Sequence, residues 1–326
     1  MTRRAFSAIV ALALSACAAG AQTSVKEIAA RVELHPIQSL TIPDKQFLTG
    51  DPRGREVTIA GEFRIAQGTG RLPAVILMHG SSGVGANIEP WVHRFNAMGI
   101  STFVIDGFTG RGLTTVGTNQ ALLGRLNLIV DIYRALDIVA HHSRVDPDRI
   151  ALMGFSRGGQ AALYASLERF HKMWNKSGAR FAGYVAFYPD CATTYLEDEN
   201  VADRPIRIFH GVPDDYNPIV TCRGYVERLR KSGRDVVLTE YPNAQHAFDS
   251  PLLAGQMIAA ANSQTVRNCR IREAEPGLLV NTATQVPFSY KDACVELDPH
   301  VGGDAEATQA AYAAASDLFR QVLRLN

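Results

Sequence analysis

A serine, an aspartate and a histidine stand along this chain in an order that suits nucleophilic acyl transfer. Ser156 lies in Gly154-Phe155-Ser156-Arg157-Gly158-Gly159, where the apolar run Ile150–Met153 gives way to the helix-like run Gln160–Ala165. A serine at such a corner has its hydroxyl held clear of the backbone, and the flanking glycines let strand and helix pass closely. A hydroxyl is a weak nucleophile near neutral pH, so a neighbouring base must take its proton during attack. His246 suits that role, since an unperturbed imidazole titrates near ~6.5. Asp214 is the carboxylate that would fix the imidazole tautomer and stabilise the imidazolium. Asp215 and Asp190 are weaker candidates for the acid. The first reads as a loop-capping residue, and the second lies one strand too early.

The same chemistry needs two N–H donors for the oxyanion of the tetrahedral intermediate. The apolar run Pro73–Met78 ends in His79-Gly80-Ser81-Ser82-Gly83. The backbone N–H of Ser81 is the natural partner to that of Arg157, which opens the helix after Ser156 and benefits from its positive end. His79 itself reads as structural. Arg111 sits in the Gly-rich loop Asp106–Gly112. It is a candidate for holding an anionic substrate group, although a loop-capping surface role is the plainer expectation.

These residues need a scaffold that brings several loops to one edge. Val25–Thr49 and the alternating run Arg55–Ala66 read as an opening antiparallel ribbon. After them strands alternate with helices. The predicted strands are Pro73–Met78, Ile100–Ile105, Ile150–Met153, Ala182–Phe187, Arg204–Phe209 and Asp235–Tyr241. The predicted helices are Glu89–Met98, Asn119–His142, the one after Ser156, Thr221–Lys231 and Ala305–Arg324. Arg169–Arg180 reads as a polar connection. The alternation specifies an α/β fold: a doubly wound, mostly parallel sheet with helices on both faces and right-handed crossovers. Ser156, Asp214 and His246 each follow the carboxyl end of a strand, where such a sheet gathers its functional loops. Leu252–Gly303 breaks the rhythm and reads as an insertion, at about residues 252–303, within a single domain over 22–326.

The 326 residues carry a formal net charge of +1, so nothing calls for a nucleic-acid or other polyanionic partner. Arg3 and Arg4 followed by the apolar Phe6–Ala16 make residues 1–21 a secretion signal, too short to span a bilayer. Ala19-Gly20-Ala21 fits a cleavage site. Leu14-Ser15-Ala16-Cys17 also fits a lipobox, with a lipid anchor at Cys17 as the one expected membrane contact. Loss of the segment removes Arg3 and Arg4 and no acids, leaving 31 basic against 32 acidic residues, or −1. The expected location is outside the inner membrane, in the periplasm or beyond. Four cysteines remain, Cys191, Cys222, Cys269 and Cys294, an even number that suits two disulfides in an oxidising compartment. Their spacings do not resemble a zinc site, and the chemistry calls for no metal or cofactor.

With these residues the sequence resembles the dienelactone hydrolase family of α/β-hydrolases. The resemblance runs from about Val57 to His246 and resumes at the final helix. It rests on His79-Gly80, Gly154-Phe155-Ser156-Arg157-Gly158-Gly159, Gly211 with Asp214 and Pro218, and Tyr241-Pro242 through His246-Ala247-Phe248. It implies a metal-free hydrolase of small carboxylic esters with little lid structure. Three departures point to a serine-nucleophile branch rather than to dienelactone itself. Ser156 stands where the namesake enzymes have cysteine, Gly80 where they have glutamate, and Ser250 near the place of their substrate-binding arginine. Cys191 and Cys222 follow neighbouring strands and flank the Asp214 loop, so a disulfide there would fix the acid. Cys269 would then pair with Cys294 inside the insertion. The expected activity is ester hydrolysis through an acyl-enzyme. An acyltransferase or peptidase could use the same residues, and a non-catalytic envelope-associated binding protein would keep the fold without turnover.

Overall fold

Why strands form where they do is clearest in the centre. The computed structural model describes residues 25–325. The segment read as an export signal, Cys17 included, lies outside the described residues. Strand β3 (Leu72–Met78) is buried along almost its whole length. Its side chains alternate: Ala74, Ile76 and Met78 enter one core cluster, Val75 and Leu77 the other. A strand apolar on both faces needs helices on both faces, and the chain supplies them.

Strands β1 (Arg31–Thr41) and β2 (Arg55–Ile65) form the antiparallel opening ribbon, with helix α1 (Asp44–Thr49) between them. After β3 come helix α2 (Ile88–Ala97), β4 (Ser101–Asp106), α3 (Asn127–Ala140) and β5 (Val145–Phe155). Next follow α4 (Arg157–Tyr164), α5 (Glu168–Trp174), β6 (Tyr184–Phe187), the short β7 (Thr193–Thr194) and β8 (Ile206–Gly211). Helix α6 (Ile219–Lys231) and β9 (Val236–Tyr241) complete the central unit. The main sheet has the order β1-β2-β4-β3-β5-β6-β8-β9, parallel from β4 onward.

Helices α3, α4 and α6 pack one face, with Leu136, Leu163 and Tyr225 in its core. Helix α2 and the closing helix α7 (Ala305–Val322) cover the other. There the fully buried Trp91 meets Tyr312 at 4.4 Å and Phe187 at 5.1 Å between ring centroids. Burying a side chain of that size stabilises the fold by roughly 2–3 kcal/mol. Asp304 starts α7 by accepting the Ala307 N–H at 2.9 Å, a cap worth about 1 kcal/mol.

Two elements differ from the expectation. Asn119–His142 is not one helix: a 3-10 turn spans Gln120–Leu122, and α3 begins only at Asn127. The Arg157 guanidinium draws out the carbonyls of Leu123 and Gly124, at 2.5 and 2.9 Å. A continuous helix would have used those acceptors internally. The polar connection Arg169–Arg180 in fact begins inside α5, whose Phe170 and Trp174 rings pack on Phe47 at 4.9 and 5.3 Å.

The region 252–303 builds one small sheet of its own and two strands of a second. Strand β10 (Met257–Ala259) pairs with β13 (His300–Gly302), and β11 (Ile271–Glu275) pairs with β12 (Leu278–Asn281) and with β7. Disulfides join Cys191 to Cys222 and Cys269 to Cys294, each with Cα atoms 5.0 Å apart. The first ties the segment after β6 to helix α6, on either side of the Asp214 loop. The second closes the inserted region on itself.

Candidate active site

The corner at Ser156 is shaped by what its neighbours lack. A Cβ on Gly154 would lie 2.0 Å from the Gly158 carbonyl oxygen. One on Gly158 would lie 2.3 Å from the His79 oxygen and 2.4 Å from that of Met78. Only glycine lets β5, β3 and α4 meet there. Ser156 itself takes φ 53°, a conformation that L-residues rarely adopt, and its N–H is held by the Phe187 carbonyl at 2.9 Å.

The structure brings the three expected residues together. His246 Nε2 lies 2.9 Å from Ser156 Oγ, and His246 Nδ1 lies 2.9 Å from Asp214 Oδ2. Asp214 Oδ1 accepts the N–H groups of Tyr216 at 2.9 Å and Asn217 at 2.8 Å. Asp214 and His246 are both buried. Two backbone donors on one buried carboxylate, each a charge-assisted bond worth about 1.5–3 kcal/mol, hold it to a single orientation. The other acids are spoken for. Asp215 accepts from Arg267 at 3.0 Å and pairs with the His300 ring at 2.9 Å, while Asp190 pairs with Arg125 at 2.5 Å.

Gly80 packs against the serine: a Cβ there would sit 3.2 Å from Ser156 Cβ. The Ser81 carbonyl is taken by the Val116 N–H at 2.9 Å and by Thr115 Oγ1 at 3.0 Å, which orients its peptide. Helix α4 starts at Arg157, and the first N–H groups of a helix have no intrahelical acceptor. His79 is structural. Its Nε2 accepts the Gly107 N–H at 3.0 Å, so the proton sits on Nδ1 and is donated to the Gly80 carbonyl at 2.7 Å. Burial pushes its pKa down, which keeps the ring neutral.

Arg111 is a correction. It is buried rather than at the surface, and its guanidinium is taken up inside the protein. Its guanidinium donates to Asp131 through both terminal nitrogens at 2.8 Å, and to the carbonyls of Gly107 at 2.5 Å and Leu40 at 2.8 Å. Both side chains of the pair are essentially unexposed. Asp131 lies on the apolar face of α3 and requires a cation there, and Arg111 is consumed in supplying it.

Several residues at the site carry no sequence motif. The His246 ring lies between Tyr216, stacked at 4.5 Å, and Tyr188, edge-on at 4.7 Å. Tyr188 has φ 37° and donates to Asp249 at 2.6 Å; Trp91 donates to the same carboxylate at 2.9 Å. Burial raises the pKa of Asp249, against the lowering effect of these bonds. Ser156 stands between two cavities. One, of about 340 Å³, is mostly apolar and lined by Phe155, Tyr188, Leu252, Leu253 and Val301. The other, of about 40 Å³, is polar and lined by Arg125, Gln160, Asp190, Asn217 and Tyr290.

Among the described residues one cluster has the composition of a metal site: Glu33, His35 and His142, on β1 and after α3. Its hydrogen bonding does not suit one. The Arg144 N–H donates to His142 Nδ1 at 3.2 Å, which puts the ring proton on Nε2, facing Glu33 Oε2 at 3.2 Å. His35 Nε2 meets the same oxygen at 3.0 Å. The lone pair a metal would need on His142 Nε2 is occupied by that proton.

A sheet of this order, with its functional loops leaving the carboxyl ends of β5, β8 and β9, defines the chain as an α/β-hydrolase. Within that class it belongs to the dienelactone hydrolase family, whose family model matches residues 60–270. Among curated proteins it is similar to "Probable carboxylic ester hydrolase LipM" of Mycobacterium tuberculosis, at 31% identity over 37% of this chain and 38% of that one. It is also similar to acyl-protein thioesterase 1 of Gibberella zeae, at 32% identity over 32% of this chain and 44% of that one. The chain thus spans less than half the length of either relative. Among solved structures, a dienelactone hydrolase-like promiscuous phosphotriesterase from metagenomic libraries shares the fold. Its TM-score is 0.56 at 16% identity, over 89% of this chain and 98% of that one.

Proposed function

We propose that this protein is an exported serine esterase that cleaves small carboxylic esters through an acyl-enzyme on Ser156. The observation that carries the reading is the unbroken path of hydrogen bonds from Ser156 Oγ through His246 to Asp214, with both links at 2.9 Å. His246 Nε2 takes the hydroxyl proton as Oγ bonds the ester carbonyl carbon. The carbonyl oxygen gains negative charge and is received by the N–H groups of Ser81 and Arg157. On collapse the alkoxide leaves with the proton held by His246, and Ser156 remains acylated. A water molecule then repeats the sequence, giving its proton to His246 and releasing the acid. Asp214 accepts from Nδ1 of the ring and stabilises the imidazolium.

Export is supported by the two disulfides, which persist in oxidising compartments, and by the signal-like composition of residues 1–21. The small-molecule substrate class is supported by the size of the apolar cavity beside Ser156.

The test is turnover of a p-nitrophenyl ester panel, acetate to long acyl chains, by wild type and Ser156→Ala. Activity on short chains that vanishes in the variant is expected. A folded Ser156→Ala protein with wild-type turnover would end the reading. A fluorophosphonate probe should label wild type and not the variant. An acyl thioester in the panel reports whether the leaving group extends to thiolates, and an added alcohol acceptor reports acyl transfer.

A further inference from the structure

The two residues given the oxyanion are far apart in sequence, and one side chain bridges them. Gln120 Oε1 accepts from the Arg157 guanidinium at 2.5 Å. Gln120 Nε2 donates to Ser81 Oγ at 3.2 Å. Tyr216 lines the same cavity as Gln120, and its ring is the one stacked on His246. Gln120 is buried, so its amide has no solvent to fall back on.

Arg157 makes the arrangement stiff. Its guanidinium is buried and, among the described residues, has no carboxylate partner. It donates to the carbonyls of Leu123 and Gly124 and to Gln120. Burial lowers its pKa, a sign of how few compensating charges it meets. A buried cation served by neutral acceptors depends on each one.

Gln120 is in turn held from outside the catalytic core. Its backbone N–H donates to Gln264 Oε1 at 2.8 Å, and the Gln264 N–H donates to the Gly117 carbonyl at 2.8 Å. Thr265 Oγ1 donates to the Tyr216 carbonyl at 2.6 Å. Gln264 and Thr265 belong to the inserted region, which the Cys269–Cys294 disulfide closes.

We infer that Gln120 is a positioning residue that sets the separation of the two oxyanion donors, and that the disulfide-braced insertion holds it in place through Gln264. This rests on the serine esterase reading above. A donor displaced by even 1 Å is enough to lower turnover by about 10²-fold, because the oxyanion forms only in the transition state. The effect belongs in kcat, since the ground-state ester makes no strong bond there.

The experiment compares wild type, Gln120→Leu, Gln120→Glu, Gln264→Ala and the Gln120→Leu/Gln264→Ala pair. Rates are taken per active serine, titrated with a fluorophosphonate, and Tm is measured in parallel. Gln120→Leu should lower kcat by roughly 10–100-fold with KM within about threefold. It should weaken a trifluoromethyl ketone, whose adduct places an oxyanion at the donors, by the same factor. Gln120→Glu keeps the acceptor for Arg157 and should recover most of kcat. Gln264→Ala should lower kcat less, and the pair should be no worse than Gln120→Leu alone. Wild-type kcat per titrated serine in Gln120→Leu, with only Tm reduced, would overturn the inference. Strictly additive losses in the pair would overturn the insertion's part in it. If Ser156→Ala retains turnover, the esterase reading fails instead, so the two failures are told apart.

Discussion

Replacing Arg111 with methionine separates a structural role from a substrate-binding one. The change keeps the length of the side chain and removes its charge. Asp131 is then left as a carboxylate with no exposed surface, served among the described residues by Ser39 Oγ at 2.5 Å. Removing one partner of a buried ion pair costs about 3–5 kcal/mol, because the remaining charge has lost its compensation. At ~2–4 °C per kcal/mol for a domain of a few hundred residues, that is a fall in Tm of roughly 6–20 °C. The apolar double variant Arg111→Met/Asp131→Leu should regain part of the loss, since it leaves no charge behind.

The assay is thermal unfolding by circular dichroism beside kcat and KM for a neutral and an anionic short-chain ester. KM for both esters should stay within about twofold of wild type, because Arg111 donates to Gly107, Leu40 and Asp131 and lies off both cavities beside Ser156. An anionic-ester KM raised tenfold or more with Tm unmoved would refute the reasoning and return Arg111 to the substrate.

Three further outcomes follow from the geometry. Reduction should lower stability by about 3–4 kcal/mol for each disulfide, as expected for loops of 31 and 25 residues; a Tm unchanged by reductant would contradict it. Gly158→Ala should yield little folded protein or lose activity wholesale, because its Cβ would meet the Met78 and His79 oxygens at 2.4 and 2.3 Å; a stable, active variant would disprove that packing. Burial raises the pKa of Asp249, so the fold favours its neutral form. The stability this contributes is complete below about pH 4, the unfolded value, and is lost as pH rises through the higher folded value. Asp249→Asn has no proton to lose and should flatten the stability profile over that window; an unaltered slope would show that another group sets it.

What could be read from the sequence was governed by distance along the chain. Ser156, its glycines and the strand–helix corner are local, and the pattern carries its own reason: a Cβ at either glycine collides with backbone. Asp214 and His246 were legible because each stands at a fixed offset past a strand end, so the sheet places them without further information. Arg111 was misread because its partner, Asp131, arrives from the next helix. A signal for it does exist: Leu128 and Ala135, three residues before and four after, share the face of Asp131, and a charge among buried apolar side chains demands a cation. Gln120 carried no comparable signal. It lay in what reads as a continuous helix, and the break there is imposed by Arg157, a residue that sequence reasoning valued only for its backbone N–H.

The inserted region changes what the family's common core can mean in this chain. It touches the His246 loop, the Asp214 loop and the segment that carries Gln120. The Gly302 N–H holds the His246 carbonyl at 3.0 Å, and Arg267 and His300 hold Asp215, next to the acid. Thr265 holds the Tyr216 carbonyl, and Gln264 holds the backbone of Gln120. The insertion also lines both cavities, through Leu252 and Val301 on the apolar side and Tyr290 on the polar side. Strands and elbow therefore set the chemistry, while one segment shapes the pockets and braces the groups around them. Gln264 and Thr265 do both, lining the polar cavity while holding Gln120 and Tyr216, so a change at either should alter substrate preference and rate together.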